Sequence, residues 1–262
     1  MPEEYLLDNS QQEAGTRFDA LGALFDDSTF RHIERLGIDK GWRCWEVGAG
    51  GPTVPTWLAD RVGPEGMVIA TDIDVSWMAA TTHRDYEVRR HDVGTEPPPG
   101  DGFDLVHARL VLVHVPARAA AIHAMVGCLR PGGWLLLEDA DPALQPLICP
   151  DEHGPAERLA NHLRRGFRQL LAQRGADLSF GRTLPRALRD AGLAEVAADA
   201  YFPITSPACA VLEQATVEQV RDRLVEGGLA TAAEIEEHLR NVAAGALDLA
   251  TSPMISAWGR HP

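Results

Sequence analysis

The chain has 262 residues, 45% of them apolar and 24% charged, with a formal net charge of −14. That length holds one large domain, or a core domain with an insertion. The negative balance and the single lysine, Lys40, argue against a nucleic-acid partner, which needs a basic face; no apolar stretch nears the roughly 20 residues of a membrane span.

The pattern Ser10-Gln11-Gln12-Glu13 is a capping box, and Phe18, Leu21 and Phe25 follow at helical spacing, so a first helix is expected over about 10–25. Asp27 or Ser28 can cap a second, carrying Phe30, Ile33 and Leu36 inward and stopping at Gly37. Arg43–Val47 reads as a strand, Gly48-Ala49-Gly50-Gly51 as a sharp turn and Thr53–Arg61 as a helix. Further strands are expected at Met67–Thr71, Tyr86–His91, Phe103–Ala108, Trp134–Glu138, about 195–203 and Met254–Gly259. Helices are expected at Val75–Thr82, Pro116–Leu129, about 155–174 and about 182–191, with two or three more over 207–250. Arg130-Pro131-Gly132-Gly133 reads as a sharp turn ahead of the fifth strand.

Strands alternating with helices imply an α/β fold with a mostly parallel sheet and right-handed crossovers. One domain over 1–262 is expected: a helical cap at 1–40, a core at 41–139, a proline-rich lid at 140–180, and the rest of the sheet at 181–262 with a helical insertion at 207–250. The acidic start MPEEYLLDNS lacks a signal-peptide pattern, so the expected location is cytoplasmic. Cys44, Cys128, Cys149 and Cys209 make no C-x-x-C pair and read as buried reduced thiols. A monomer or homodimer is expected, the 207–250 helices offering a dimer face.

In such sheets ligands sit beyond the carboxyl ends of the strands, where strand order reverses. Four successive strand ends carry marked residues: Glu46 with Gly48, Ala49 and Gly50; Asp72 with Ile73; Asp92 with Val93; and Ala108 with Arg109. Asp72 can accept both hydroxyls of a ribose, Ile73 can lie against an adenine face, and Asp92 with the Val93 amide can meet the adenine edge. Glu46 suits a cationic, amino-acid-like tail and would repel a pyrophosphate. The third position of a dinucleotide G-x-G-x-x-G fingerprint is Thr53, and no P-loop is present.

These residues resemble the class I S-adenosylmethionine-dependent methyltransferases. EVGAGG is similar to the acidic glycine-rich first motif, ATDID to the acidic second, HDV to the adenine motif, and FDLVHARLVLVHVP with LRPGGWLLLED to the fourth and fifth strands and their linking helix. The resemblance covers about residues 30–205 and the last strand. It implies a Rossmann-like sheet of seven strands, the last antiparallel, with N-terminal helices and lid insertions forming the acceptor pocket. It implies S-adenosyl-L-methionine as co-substrate and a small-molecule acceptor. Glu46, Gly48, Ala49, Gly50, Asp72, Ile73, Asp92, Val93, Ala108 and Arg109 would be its cofactor residues, Arg109 through its backbone. Asp74 is better read as the cap of the next helix. His107, His114 or Asp139 is the expected proton acceptor, and Tyr5, Asp141 and His153 the expected acceptor-site residues. No metal is expected. Two other readings stand beside this one: a nicotinamide-dependent reductase, and a non-catalytic binding protein on the same fold.

Overall fold

The computed structural model describes residues 12–79 and 85–262. They fall into two compact units. A sheet unit holds residues 26–140, 179–201 and 254–262, and a helical unit holds 141–178, 202–253 and the described residues up to Phe25.

The sheet unit has seven strands: β1 (Arg43–Val47), β2 (Met67–Asp72), β3 (Glu87–Arg90), β4 (Phe103–Arg109), β5 (Leu129–Ala140), β6 (Ala194–Tyr201) and β7 (Met254–Arg260). Their order is β3-β2-β1-β4-β5-β7-β6. The first five are parallel, and β7 runs antiparallel to both β5 and β6. The chain steps outward from β1 to β3, then returns to lay β4 on the other side of β1. Strand order therefore reverses between β1 and β4, where the glycine turn leaves β1.

Helices cover this sheet with apolar stripes. In α2 (Thr53–Val62), Val54, Leu58 and Val62 repeat every four residues and are buried. They join Ile33, Cys44, Val68, Leu105 and Leu136 in one core cluster. In α4 (Arg118–Gly127), Ala121, Ile122, Met125 and Val126 form the same kind of stripe. All four cysteines are buried and free, and burial pushes each thiol up in pKa.

Two local expectations need correction. The two N-terminal helices are one, α1 (Gln12–Arg35). Asp27 and Ser28 carry cap chemistry, but neither Gly nor Pro interrupts the backbone there. The inward rows Ala20–Leu24–Ser28–His32 and Phe25–Thr29–Ile33 run straight through. Second, Arg130–Gly133 is not a turn before the fifth strand. Leu129 already pairs with Phe103, and a register shift between Phe103 and Leu105 absorbs the extra residues as an irregularity. Gly133 is required there, since a Cβ would lie 2.8 Å from the Phe103 carbonyl.

In the helical unit, α5 (Pro155–Gln173), α7 (Pro207–Glu226) and α8 (Ala232–Ala243) share a cluster of Leu163, Leu170, Val217, Val220, Leu224 and Ile235. A capping box of Thr231 and Glu234 starts α8. Buried in this unit, Glu213 meets His238 at 2.9 Å. Among the described residues no helix is long and apolar enough to cross a membrane.

Candidate functional site

Past β1 the backbone turns through Gly48 at φ 61° and Gly50 at φ 62°, a region that favours glycine. At Gly48 a Cβ would also sit 2.3 Å from Val111 Cγ2. Ala49 N–H donates to the Thr71 carbonyl and Gly50 N–H to Asp72 Oδ2, 2.9 Å away. Asp72 Oδ1 accepts from Asp74 N–H at 3.0 Å. One buried carboxylate thus ties the glycine turn to the end of β2. Burial raises its pKa, and the amide donors oppose the rise. Each oxygen keeps a lone pair for a ligand hydroxyl.

Beside it Ile73 is 54% exposed, a large apolar side chain left uncovered at a strand end. Asp74 accepts from Ser76 N–H and caps the short helix α3 (Ser76–Ala79), while Met78 is buried in the core. After β3, Asp92 organises its own loop. Its Oδ1 accepts from Gly94 N–H at 2.8 Å and its Oδ2 from the Thr95 hydroxyl at 2.9 Å. Val93 is half-buried beside it. Ala108 is buried, and the Arg109 side chain turns away to Asp26 Oδ1 at 2.8 Å and Thr29 Oγ1 at 3.0 Å. Leu110 follows with φ 60°, an outlier for a branched residue, and donates to the Glu138 carbonyl.

Next to the turn lies a buried charged network. Glu46 Oε2 is 2.6 Å from His107 Nδ1, and His107 Nε2 is 3.2 Å from Glu138 Oε2. Glu138 also accepts from the hydroxyls of Thr29 and Ser256. His32 faces Glu138 with Nδ1 at 3.5 Å and Asp199 with Nε2 at 2.9 Å. A neutral imidazole has one donor and one acceptor nitrogen, yet both nitrogens of His107 face carboxylates, which only accept. With both carboxylates ionised, that geometry favours the imidazolium form. Burial alone would lower its pKa, but Glu46 and Glu138 raise it to about 9. His107, with His32 and Arg109, holds Glu138 well below the usual carboxylate range against its own burial. His107 was expected as a possible base. It is fully buried, and the two carboxylates beside it raise its pKa.

Asp139, the next residue on β5, is buried with a different set of partners. Its Oδ2 accepts from Val113 N–H at 3.2 Å, and its Oδ1 has no hydrogen-bond partner among the described residues. Burial pushes the carboxyl up to about 7, with nearby backbone amides and Arg118 resisting. His114 is exposed in the short 3-10 turn Leu112–His114. In the helical unit, Asp141 is buried and its Oδ1 caps a turn through Leu144 N–H at 3.0 Å. His153 in that unit is exposed, 3.5 Å from Glu157 and 3.7 Å from Asp151. Tyr5 lies outside the described residues. Among the described residues no group of three or more His, Cys, Asp and Glu side chains is placed to hold a metal ion.

Sequence reasoning missed Glu138, Thr29, His32, Ser256 and Asp199. One signal was available: His107 and Glu138 are ionisable residues inside otherwise apolar strand runs, VHA and LLLED.

A family model described as a methyltransferase domain matches residues 23–198. The chain belongs to that family. It is 23% identical over 193 residues to phosphoethanolamine N-methyltransferase 1 of Arabidopsis thaliana, covering 71% of this chain and 35% of that protein. It is 30% identical over 113 residues to the ubiquinone/menaquinone biosynthesis C-methyltransferase UbiE of Pseudomonas putida, covering 40% of this chain and 44% of the relative. The chain thus spans about a third of the length of the first curated relatives it matches. Among solved structures it is similar to phosphoethanolamine N-methyltransferase 2 of Haemonchus contortus, held there with phosphomonomethylethanolamine and S-adenosylhomocysteine: TM-score 0.59, 14% identity, 98% of this chain and 59% of that one. The YcgJ protein of Bacillus subtilis gives TM-score 0.57 at 14% identity, covering 90% and 98%. These two likenesses show the fold: a seven-stranded methyltransferase sheet with its last strand antiparallel.

Proposed function

We propose that this chain transfers the methyl group of S-adenosyl-L-methionine to a small organic acceptor. The observation that carries the reading is the row of strand ends at the reversal of strand order: the glycine turn after β1, Asp72 after β2, Asp92 after β3 and Ala108 in β4. The donor set fits that ligand. Asp72 has lone pairs for the two ribose hydroxyls, exposed Ile73 offers a flat apolar face for adenine, and Asp92 with the Val93 amide takes its edge. The Gly48–Gly50 backbone and Glu46 take the amino-acid end, and Ala108 and Arg109 contribute backbone there. A net charge of −14 supports a small molecule over a nucleic acid as acceptor.

When bound, S-adenosylmethionine would supply a methyl carbon activated by its sulfonium; an acceptor lone pair would attack it in line as the carbon–sulfur bond breaks, with S-adenosylhomocysteine as the leaving group. The protein then has to align the reactants and exclude water. Where the acceptor has a proton to lose, Asp139 takes it at Oδ1, the oxygen with no partner among the described residues. A pKa of about 7 suits a base working near neutrality. A small organic acceptor is the class to which the phosphoethanolamine of the relatives belongs.

Calorimetry tests the reading. S-adenosylmethionine and S-adenosylhomocysteine should bind with sub-millimolar affinity, and nicotinamide dinucleotides should not. Asp72→Asn keeps the size of the side chain and loses the charge-assisted bonds, so affinity should fall about a hundredfold. No binding of either adenosyl ligand would sink the proposal, and an unchanged affinity would remove Asp72 from the site.

A further inference from the structure

Beside the glycine turn, the described residues join acidic and basic side chains in one network. Four carboxylates belong to it: Glu46 on β1, Glu138 on β5, Asp199 on β6 and Asp26 on α1. Three basic side chains face them: His107 and Arg109 on β4, and His32 on α1. Both nitrogens of His32, like those of His107, face carboxylates, and its pKa is raised. Arg109 is committed to Asp26, His32 lies between Asp199 and Glu138, and His107 is shared by Glu46 and Glu138. All these groups lie in one compact unit. Glu46 and Glu138 are buried, and a ligand cation beside Glu46 would favour its ionised form.

We propose that His107 is a positioning residue for Glu46, holding that carboxylate ionised and in a fixed plane so that it receives the α-ammonium of S-adenosylmethionine. This rests on the cofactor reading above. Without His107, burial would drive Glu46 towards its neutral form, which neither attracts an ammonium nor has a fixed orientation. Burial already pushes Glu46 up, and His107 and Arg109 are what oppose it. The fixed plane follows from the 2.6 Å contact between a fully buried ring and a buried carboxylate. Glu138, with Thr29 and Ser256 bound to it, locks the far side of the ring.

The test compares two probes by calorimetry, from about pH 5.5 to 8.5, where a shifted buried carboxyl or imidazole would titrate. S-adenosylhomocysteine carries the amino-acid tail; 5′-methylthioadenosine keeps adenine, ribose and sulfur without it. Wild type should bind both, and its affinity for S-adenosylhomocysteine should fall towards the acid end as Glu46 is protonated. In His107→Gln the affinity for S-adenosylhomocysteine should drop about tenfold at neutral pH, and the fall-off should move to higher pH. Binding of 5′-methylthioadenosine should stay within about twofold. Equal loss of both probes would mean structural damage and would overturn the proposal, as would unchanged affinity and pH profile. If wild type bound neither probe, the cofactor reading itself would fail, taking this proposal with it. Should His107→Gln not fold, nitrogen NMR of histidine-labelled wild type decides. A ring protonated on both nitrogens at about pH 8, with signals that move on adding S-adenosylhomocysteine and not on adding 5′-methylthioadenosine, supports the assignment. All rings neutral, or no selective movement, refutes it.

Discussion

Glu138 and Asp139 are neighbours on β5, 1% and 2% exposed, and the structure drives their protonation in opposite directions. Successive strand residues point to opposite faces of a sheet, so the two carboxyls share a backbone and meet different surroundings. Glu138 looks onto His107, the Thr29 and Ser256 hydroxyls and His32, and its charge is held. Asp139 looks onto the Leu112–His114 turn and receives Val113 N–H on one oxygen only. Equal burial with unequal partners separates a carboxylate held ionised from one whose pKa is raised towards neutrality.

Asp139→Asn gives the largest expected effect. For an acceptor that must lose a proton, kcat should fall about a hundredfold, the lower end of general-base contributions. In wild type the rate should rise with pH through about 7, and the variant should lose that limb. Stability should move the other way. The folded pKa is raised, so in wild type Asp139 favours folding fully below the ordinary carboxylate value and progressively less as pH rises through about 7. Asn carries no such loss. The variant should therefore gain on wild type between about pH 4 and 7, by on the order of 4 kcal/mol. Denaturant melts across that range check this. A parallel stability curve would equate the two faces and break the contrast.

Glu138→Gln should act in the opposite sense. It leaves His107 with one carboxylate and should cost about 3 kcal/mol at neutral pH, the low end for breaking a buried pair, because Gln can still accept from Thr29 and Ser256. Asp139→Asn and Glu138→Gln would then shift the urea midpoint in opposite directions at pH 8. An effect of similar size belongs to His107 in wild type. Its raised pKa contributes stability that is full below about 6.5 and is lost as pH rises through about 9. The melting temperature of His107→Gln should lack that alkaline decline. Thr231→Ala, which removes the exposed capping box of α8, should cost about 1 kcal/mol with no such pH structure. It calibrates what a hydrogen-bonded pair is worth in water.

The strand, glycine turn and helix around residues 43–62 were legible because each signal is local. An apolar run makes the strand, glycines permit φ near +60°, and apolar residues every four positions make the helix. The cap role of Asp74 was legible on the same grounds. The join within α1 was misread because cap chemistry at Asp27 and Ser28 is local, whereas the inward rows that keep the helix whole depend on what lies beneath it. The sequence also placed Asp72 and Asp92 at strand ends, but not the backbone amides that occupy them, which the turn geometry delivers.

The sequence by itself determined the succession of elements, the parallel α/β sheet and the four marked strand ends, because these follow from periodicity and from residues with restricted or permissive backbones. Tertiary structure alone decided which charges meet. Thr29 reaches Glu138 across 109 positions, His107 across 31 and Ser256 across 118, contacts that no local pattern encodes. The His107 and Ser256 contacts arise because strand order sets β4, β5 and β7 side by side in a register that brings one polar residue from each to the same buried face. In that dry setting the partner, and not the residue type, decides whether a carboxyl keeps its charge.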